Sequence, residues 1–132
     1  LEHVADPAAY LAECRRLLRP DGRLVLTTHG TWWYHPHPTD FWRWTGEGLR
    51  RIVEQAGFEV LEFRGLMGLA ATGVHLFQDG TYRRIPGWLR SPYYFCLQNM
   101  ASLVDRLHSA DDRRRNACVY LVVARHGTDG GS

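Results

Sequence analysis

Between Pro7 and Thr28 a helical stripe, a turn and an uninterrupted apolar triplet follow one another, a succession that leaves little choice of fold. Asp6 can cap a helix whose first position is Pro7, and Leu11, Cys14, Leu17 and Leu18 recur on one face until Pro20-Asp21-Gly22 breaks the run. The spacing predicts a helix over residues 7–18. Leu24-Val25-Leu26 then sits inside the segment Arg23 to Thr28, which predicts a strand buried on both faces, as in the core of a parallel sheet.

Later segments repeat the alternation. From Thr45, a capping residue, Leu49, Ile52, Val53 and Ala56 fall at i, i+3, i+4 and i+7, and Gly57 stands where a left-handed terminator is wanted. Glu59 to Arg64 alternates, with Leu61 and Phe63 on one side, the pattern of a half-exposed or edge strand. Ala117 to Ala124 is almost wholly apolar and belongs inside the sheet. Ser91-Pro92 opens a third helix in which Tyr93, Cys96, Leu97, Met100, Leu103, Val104 and Leu107 recur at helical spacing, expected to be core packing or the underside of a lid. Leu66 to Leu89, punctuated by glycines and Pro86, reads as an irregular excursion. One domain over residues 1–126 and a disordered tail over 127–132 are expected.

Composition narrows the function. At 132 residues with 45% hydrophobic content, the chain can bury one core. All 16 basic residues are arginine, yet the formal net charge is only +2, and the one run, Arg113 to Arg115, follows Asp111-Asp112 and is neutralised locally. A solvated turn is expected there, and no nucleic-acid partner, because that requires clustered positive charge. The 3 cysteines, Cys14, Cys96 and Cys118, show no Cys-x-x-Cys spacing and each lies in an apolar pattern, so buried free thiols in a reducing compartment are expected. No apolar run approaches the roughly 20 residues that span a bilayer, and no signal segment begins the chain. The sequence thus predicts a cytoplasmic location without a membrane partner.

The chemistry is concentrated in His29 to Thr45, a loop holding three histidines, four tryptophans, Asp40 and Arg43 at the end of a strand. Ligands of open α/β sheets bind at such strand ends, and binding residues concentrate on loops held by a rigid scaffold. Two readings of the loop stand. In one it is a substrate wall: Trp32, Trp33 and Tyr34 supply apolar surface, His35, Asp40 and Arg43 orient polar groups, and His29, His35 or His37 is a general base. In the other the aromatics plug the end of the sheet while Asp40 and Arg43 pair with each other.

Leu1-Glu2-His3-Val4 and Leu18-Arg19-Pro20-Asp21-Gly22-Arg23, with the Pro38-x-Asp40-Phe41-Trp42-Arg43-Trp44-Thr45 string ahead of a helix, resemble the class I S-adenosylmethionine-dependent methyltransferases, in particular their type 11 subgroup. Asp21 stands where glycine is commoner. The resemblance implies an α/β fold, the C-terminal half of a doubly wound, Rossmann-like sheet: three strands, the last antiparallel between the other two, with about three helices. It implies that the backbone of Leu1, Glu2 and His3 lines the methionine and sulfonium region of S-adenosylmethionine, while the reading of the loop itself supplies His29 and His37 as general-base candidates and Trp32, Trp33, His35, Asp40 and Arg43 for the acceptor. The Gly-rich cofactor loop and the ribose-binding acid of that family are absent from the sequence, so the chain is expected to be the acceptor-side portion, with weak or no cofactor binding of its own. In some relatives the Glu and His matching Glu2 and His3 join a further acid in holding a divalent cation, and His35-x-His37 with Asp40 could ligate one too, but loop histidines without a further ligand pattern predict no metal here.

Methyl transfer to a small-molecule acceptor is therefore the leading expectation. The alternative is a non-catalytic half-sheet that binds or dimerises through its open edge, giving a homo-oligomer. A third, stacking of single-stranded nucleic acid on the aromatic loop, is opposed by the near-neutral charge.

Overall fold

A computed structural model describes residues 1–127. Helix α1 (Pro7–Leu17) begins where the Asp6 carboxylate accepts the Ala9 amide, with Pro7 in the first turn. The turn at Gly22, whose amide donates to Arg19 O at 2.9 Å, feeds β1 (Arg23–His29). The long loop follows, then α2 (Gly46–Gln55), capped by the Thr45 hydroxyl on the Gly48 amide at 3.1 Å and ended by Gly57 at φ +83. Strand β2 (Phe58–Gly68), α3 (Leu69–Tyr82), a 3-10 turn (Gly87–Leu89), α4 (Arg90–Asp105), α5 (Ala110–Arg115) and β3 (Ala117–His126) complete the order.

The three strands form one sheet in the order β1-β3-β2, with β3 antiparallel to both neighbours. The buried last strand and the alternating strand before it thus take the places that sequence patterning predicts. A bulge between Val60 and Glu62 re-phases β2, so that Phe63 pairs with Val122 on the core side. That side is closed by α1, α2 and α5: Leu11, Leu49, Val53 and Val122 are fully buried, each contributing about 1.5–3 kcal/mol by leaving water.

Four expectations change. The strand β1 is buried on one face only: Leu26 and Thr28 are buried whereas Val25 is 65% exposed, because the helices beside β1 cover one face of the sheet. The excursion after residue 66 is ordered as the end of β2 followed by α3. Its glycines do not break that helix, since Gly73 and Gly80 face open space and cost only propensity. The Arg113–Arg115 run is the last turn of α5, a helix opened by a Ser109/Asp112 capping box, so five α-helices stand among the described residues where about three are expected. Cys118 is buried and Cys14 half-buried, but Cys96 is exposed on α4. The predicted tail lies, beyond Gly127, outside the described residues.

Asp105 ties the second half of the chain together. One of its oxygens accepts the Gly68 amide at 2.6 Å and the other pairs with Arg113 at 3.1 Å, joining the end of β2 to α5.

Candidate functional site

The end of β1 brings Thr28 and His29 against the first residues of the chain. Thr28 Oγ1 donates to Glu2 Oε2 at 2.7 Å, and His29 Nε2 lies 3.7 Å from Glu2 Oε1. The loop then folds back over the same segment: the Phe41 and Trp42 amides donate to Glu2 O, and the Trp42 indole donates to Val4 O at 2.8 Å. Residues some forty positions apart thereby become one wall.

Three imidazoles surround the Glu2 carboxylate. His3 Nε2 is 3.8 Å from Oε1, and its Nδ1 bonds Thr39 O at 2.7 Å. The His35 ring meets those of His3 and His29 edge to face, with centroids 5.0 Å and 4.9 Å apart, and Trp32 stacks on His29 at 5.8 Å. Leu1 packs beside the core next to this cluster.

Electrostatics separates the roles. Burial works against the Glu2 charge, but hydrogen bonds from Thr28 and from its own backbone favour it, and the carboxyl is held well below its ordinary value. Burial pushes the His29 imidazole below its ordinary value, the neighbouring Glu2 charge opposing and His35 adding to the shift. At neutral pH the centre is a fixed carboxylate beside a neutral imidazole.

Asp40 and Arg43 serve the loop itself. The Arg43 guanidinium forks onto Asp40, with Nη1 2.6 Å from Oδ1, and donates to the carbonyls of Trp32, Trp33 and Trp42 at 3.0, 2.6 and 2.7 Å. Asp40 also accepts the His35 amide at 2.9 Å, and its side chain is 1% exposed. Their polar atoms are used up in shaping the wall, as in the pairing alternative. His37 stands apart: it is exposed, precedes a cis peptide to Pro38, and makes no contact with the cluster. Thr28 is the residue that sequence reading passes over. A threonine closing a strand carries no motif, and its role depends on Glu2, 26 positions away.

Glu2, His29 and His35 present ligand atoms within 4.8 Å of one another, a donor set able to hold a divalent cation. Sequence reading groups Glu2 with His3 and His35 with His37 and Asp40; the fold instead brings Glu2 together with His29 and His35. Trp33, in contact with His35, also walls a cleft of about 550 Å³ whose other side is Leu76, Gly80 and Tyr82 of α3.

A family described as a methyltransferase domain matches residues 1–63. Among curated proteins, the ubiquinone biosynthesis O-methyltransferase of Dinoroseobacter shibae is 33% identical over an 85-residue alignment covering 51% of this chain and 34% of that protein. The corresponding enzyme of Cereibacter sphaeroides (strain ATCC 17025) is 32% identical over 84 residues with the same coverage. An uncharacterised 37.1 kDa protein in transposon TN4556 of Streptomyces fradiae is 73% identical over 26 residues, 20% of this chain and 8% of that one. The alignments span about a third of the length of the two O-methyltransferases. The crystal structure of the cyclase SpnF superposes with a TM-score of 0.50 over 96% of this chain and 47% of that one, at 19% identity, a likeness of fold alone. Residues 1–63 thus match a methyltransferase domain, and the chain shares its fold with SpnF over 96% of its length.

Proposed function

We propose that the chain forms the acceptor side of a methyltransferase acting on a small-molecule hydroxyl or amine, with His29 as general base. The observation that carries this reading is the pairing of a neutral, half-buried imidazole with a fixed carboxylate 3.7 Å away at the carboxyl end of β1. Histidine suits removal of a proton near neutral pH. As the imidazole takes that proton, the Glu2 charge stabilises the imidazolium and offsets part of its desolvation. Thr28 keeps Glu2 ionised, Trp32 holds the imidazole plane, and the braced loop keeps water from the acceptor.

S-adenosylmethionine, when bound, supplies the methyl group as a sulfonium cation. The anionic, imidazole-flanked surface around Glu2 and His3 suits a cation, and these residues with Leu1 would line its reactive end. The acceptor would sit between the cluster and Trp33, toward the cleft beside α3. The relatives' O-methyltransferase names favour an oxygen acceptor.

Calorimetry with S-adenosylmethionine tests the division of labour. No heat is expected from the 132-residue chain, and micromolar binding by it would show that it holds the cofactor alone. Transfer of a labelled methyl group to phenolic acceptors by the polypeptide that includes whatever the gene encodes ahead of Leu1 is expected, and its loss in His29→Ala with cofactor affinity intact. Full activity in that variant would remove His29 from the reaction.

A second reading keeps one specific support. The outer edge of β1 has no strand partner among the described residues and Val25 is bare beside it, so pairing with another chain through that edge remains a separate function to test by sedimentation.

A further inference from the structure

Helix α4 is apolar on two sides. Its inner side faces α3, where Gln98 donates to Gln78 at 3.1 Å, Tyr93 bonds Thr81, and Ala101 is buried. Its outer side carries Phe95, Met100 and Leu103, 69%, 42% and 64% exposed, continued at either end by Trp88 at 81% and Leu107 at 79%. Helical geometry puts residues 95, 99, 100 and 103 on one face, so Phe95, Met100 and Leu103 form an apolar strip about 12 Å long in which Asn99 is the polar member. A soluble helix normally turns a charged face outward, and an apolar strip of this extent marks an interaction surface.

Charge selects the occupant. From Gly80 to Val104 the sequence contains Arg83, Arg84 and Arg90 and no Asp or Glu. Arg83 and Arg84 are exposed and form no ion pair among the described residues, while Arg90 reaches back to Ile85 O at 3.0 Å and stacks over the Tyr82 ring. An exposed tryptophan a few residues after two guanidiniums without an ion pair, leading into a helix face that carries no acidic residue, suits an interfacial helix on anionic lipid: rings and aliphatic chains enter the headgroup boundary while arginines meet phosphates. No helix among the described residues is long and apolar enough to cross a membrane, and a helix lying flat on the surface has no need to be. The sequence argument against a membrane partner concerned crossing alone.

We propose that the outer face of α4, with the Arg83–Arg90 tip, docks the protein onto the surface of an anionic lipid bilayer. This docking shares with the methyl-transfer reading only Arg83, which also lines the cleft beside α3.

Vesicle flotation of the 132-residue chain tests it, with phosphatidylcholine vesicles and with vesicles in which a third of the lipid is phosphatidylglycerol. The chain is expected to float with the anionic vesicles and to bind the neutral ones roughly tenfold or more weakly. Leu103→Glu and, separately, Phe95→Ser should abolish flotation without changing the thermal melt, because both side chains point to solvent. Arg83→Glu with Arg84→Glu should erase the preference for anionic lipid. Failure to float with either vesicle, or flotation unchanged by both Leu103→Glu and Phe95→Ser, overturns the proposal. So does a dimer in sedimentation that Leu103→Glu dissociates while vesicles stay unbound, which would give the face to a second copy of the chain.

Discussion

Thr28 Oγ1 donates a 2.7 Å hydrogen bond to Glu2 Oε2, and through it the end of β1 fixes the charge at the centre of the histidine cluster. Folding lowers the Glu2 carboxyl from 4.5 to about 2 against the opposing effect of burial. A depressed carboxyl stabilises the fold fully above its unfolded value and loses that contribution as pH falls through the folded one, so the window lies between about 4.5 and 2. Thr28→Val removes the donor. It should raise the Glu2 carboxyl in an NMR titration, shift acid unfolding to higher pH, and cost about 1–3 kcal/mol at neutral pH.

His29 answers to the same carboxylate with the opposite sign. Burial lowers its imidazole below 6.5 while Glu2 pulls it back up. Glu2→Gln should therefore drive the His29 titration further down, visible in its ring proton shifts. Because the unfolded chain binds the proton more readily, His29 contributes stability above 6.5 that is lost as pH falls through its folded value. His29→Gln should flatten that limb of the stability profile. An unchanged profile would mean that His29 is not desolvated by the loop.

Two glycines should respond with opposite signs to the same substitution. A Cβ on Gly65 would stand 1.8 Å from Arg113 O and 2.8 Å from the Ala117 methyl, so Gly65→Ala must push α5 off β2, at a cost of about 1–3 kcal/mol or more. Gly73 on α3 has nothing within 4 Å, and Gly73→Ala should stabilise by about 0.4–1 kcal/mol through the unfolded chain. Urea unfolding of the two variants checks both directions.

Thiol reactivity should rank the cysteines by environment. Burial raises the Cys118 thiol to about 11 and hides it, whereas Cys96 is exposed on α4. Ellman's reagent should modify Cys96 first, the half-buried Cys14 more slowly, and Cys118 only on unfolding. Early loss of Cys118 would place the α3 end of the sheet open to solvent.

Periodicity carried most of the fold. The caps at Asp6 and Thr45, the stripe from Leu49 to Ala56 and the apolar run of β3 are local signals, and local interactions decide them. Where tertiary packing decides, the sequence misled. Helix α3 keeps two glycines because its contacts with α4 outweigh their propensity cost, and β1 shows one bare face because hydrophobicity of a strand says nothing of what lies across from it. The loop announced the site through its density of histidine and tryptophan, but the hub, Glu2, and its partner Thr28 become a pair only when residues 26 apart are brought together. Asp40 and Arg43 look alike in sequence whether they hold a ligand or a loop. Only the three tryptophan carbonyls at the guanidinium separate the two.

That brace gives the sharpest test of how the wall is held. Arg43 spends its planar fork on Asp40 and on the carbonyls of Trp32, Trp33 and Trp42, a set that a lysine ammonium cannot reproduce. The Asp40 carboxyl, drawn well below its usual range first by Arg43, would lose its counter-charge while still accepting the His35 amide. In Arg43→Ala, amides of residues 31–44 should exchange with deuterium at least tenfold faster, the His29 to His35 ring contact should disappear from NOE spectra, and α1, α2 and the sheet should keep their protection. Arg43→Lys should recover only a small part of the loss. Uniform loss of protection across the chain would make Arg43 a determinant of global stability, and unchanged exchange in the loop would mean that its conformation is set by the tryptophans and not by the ion pair.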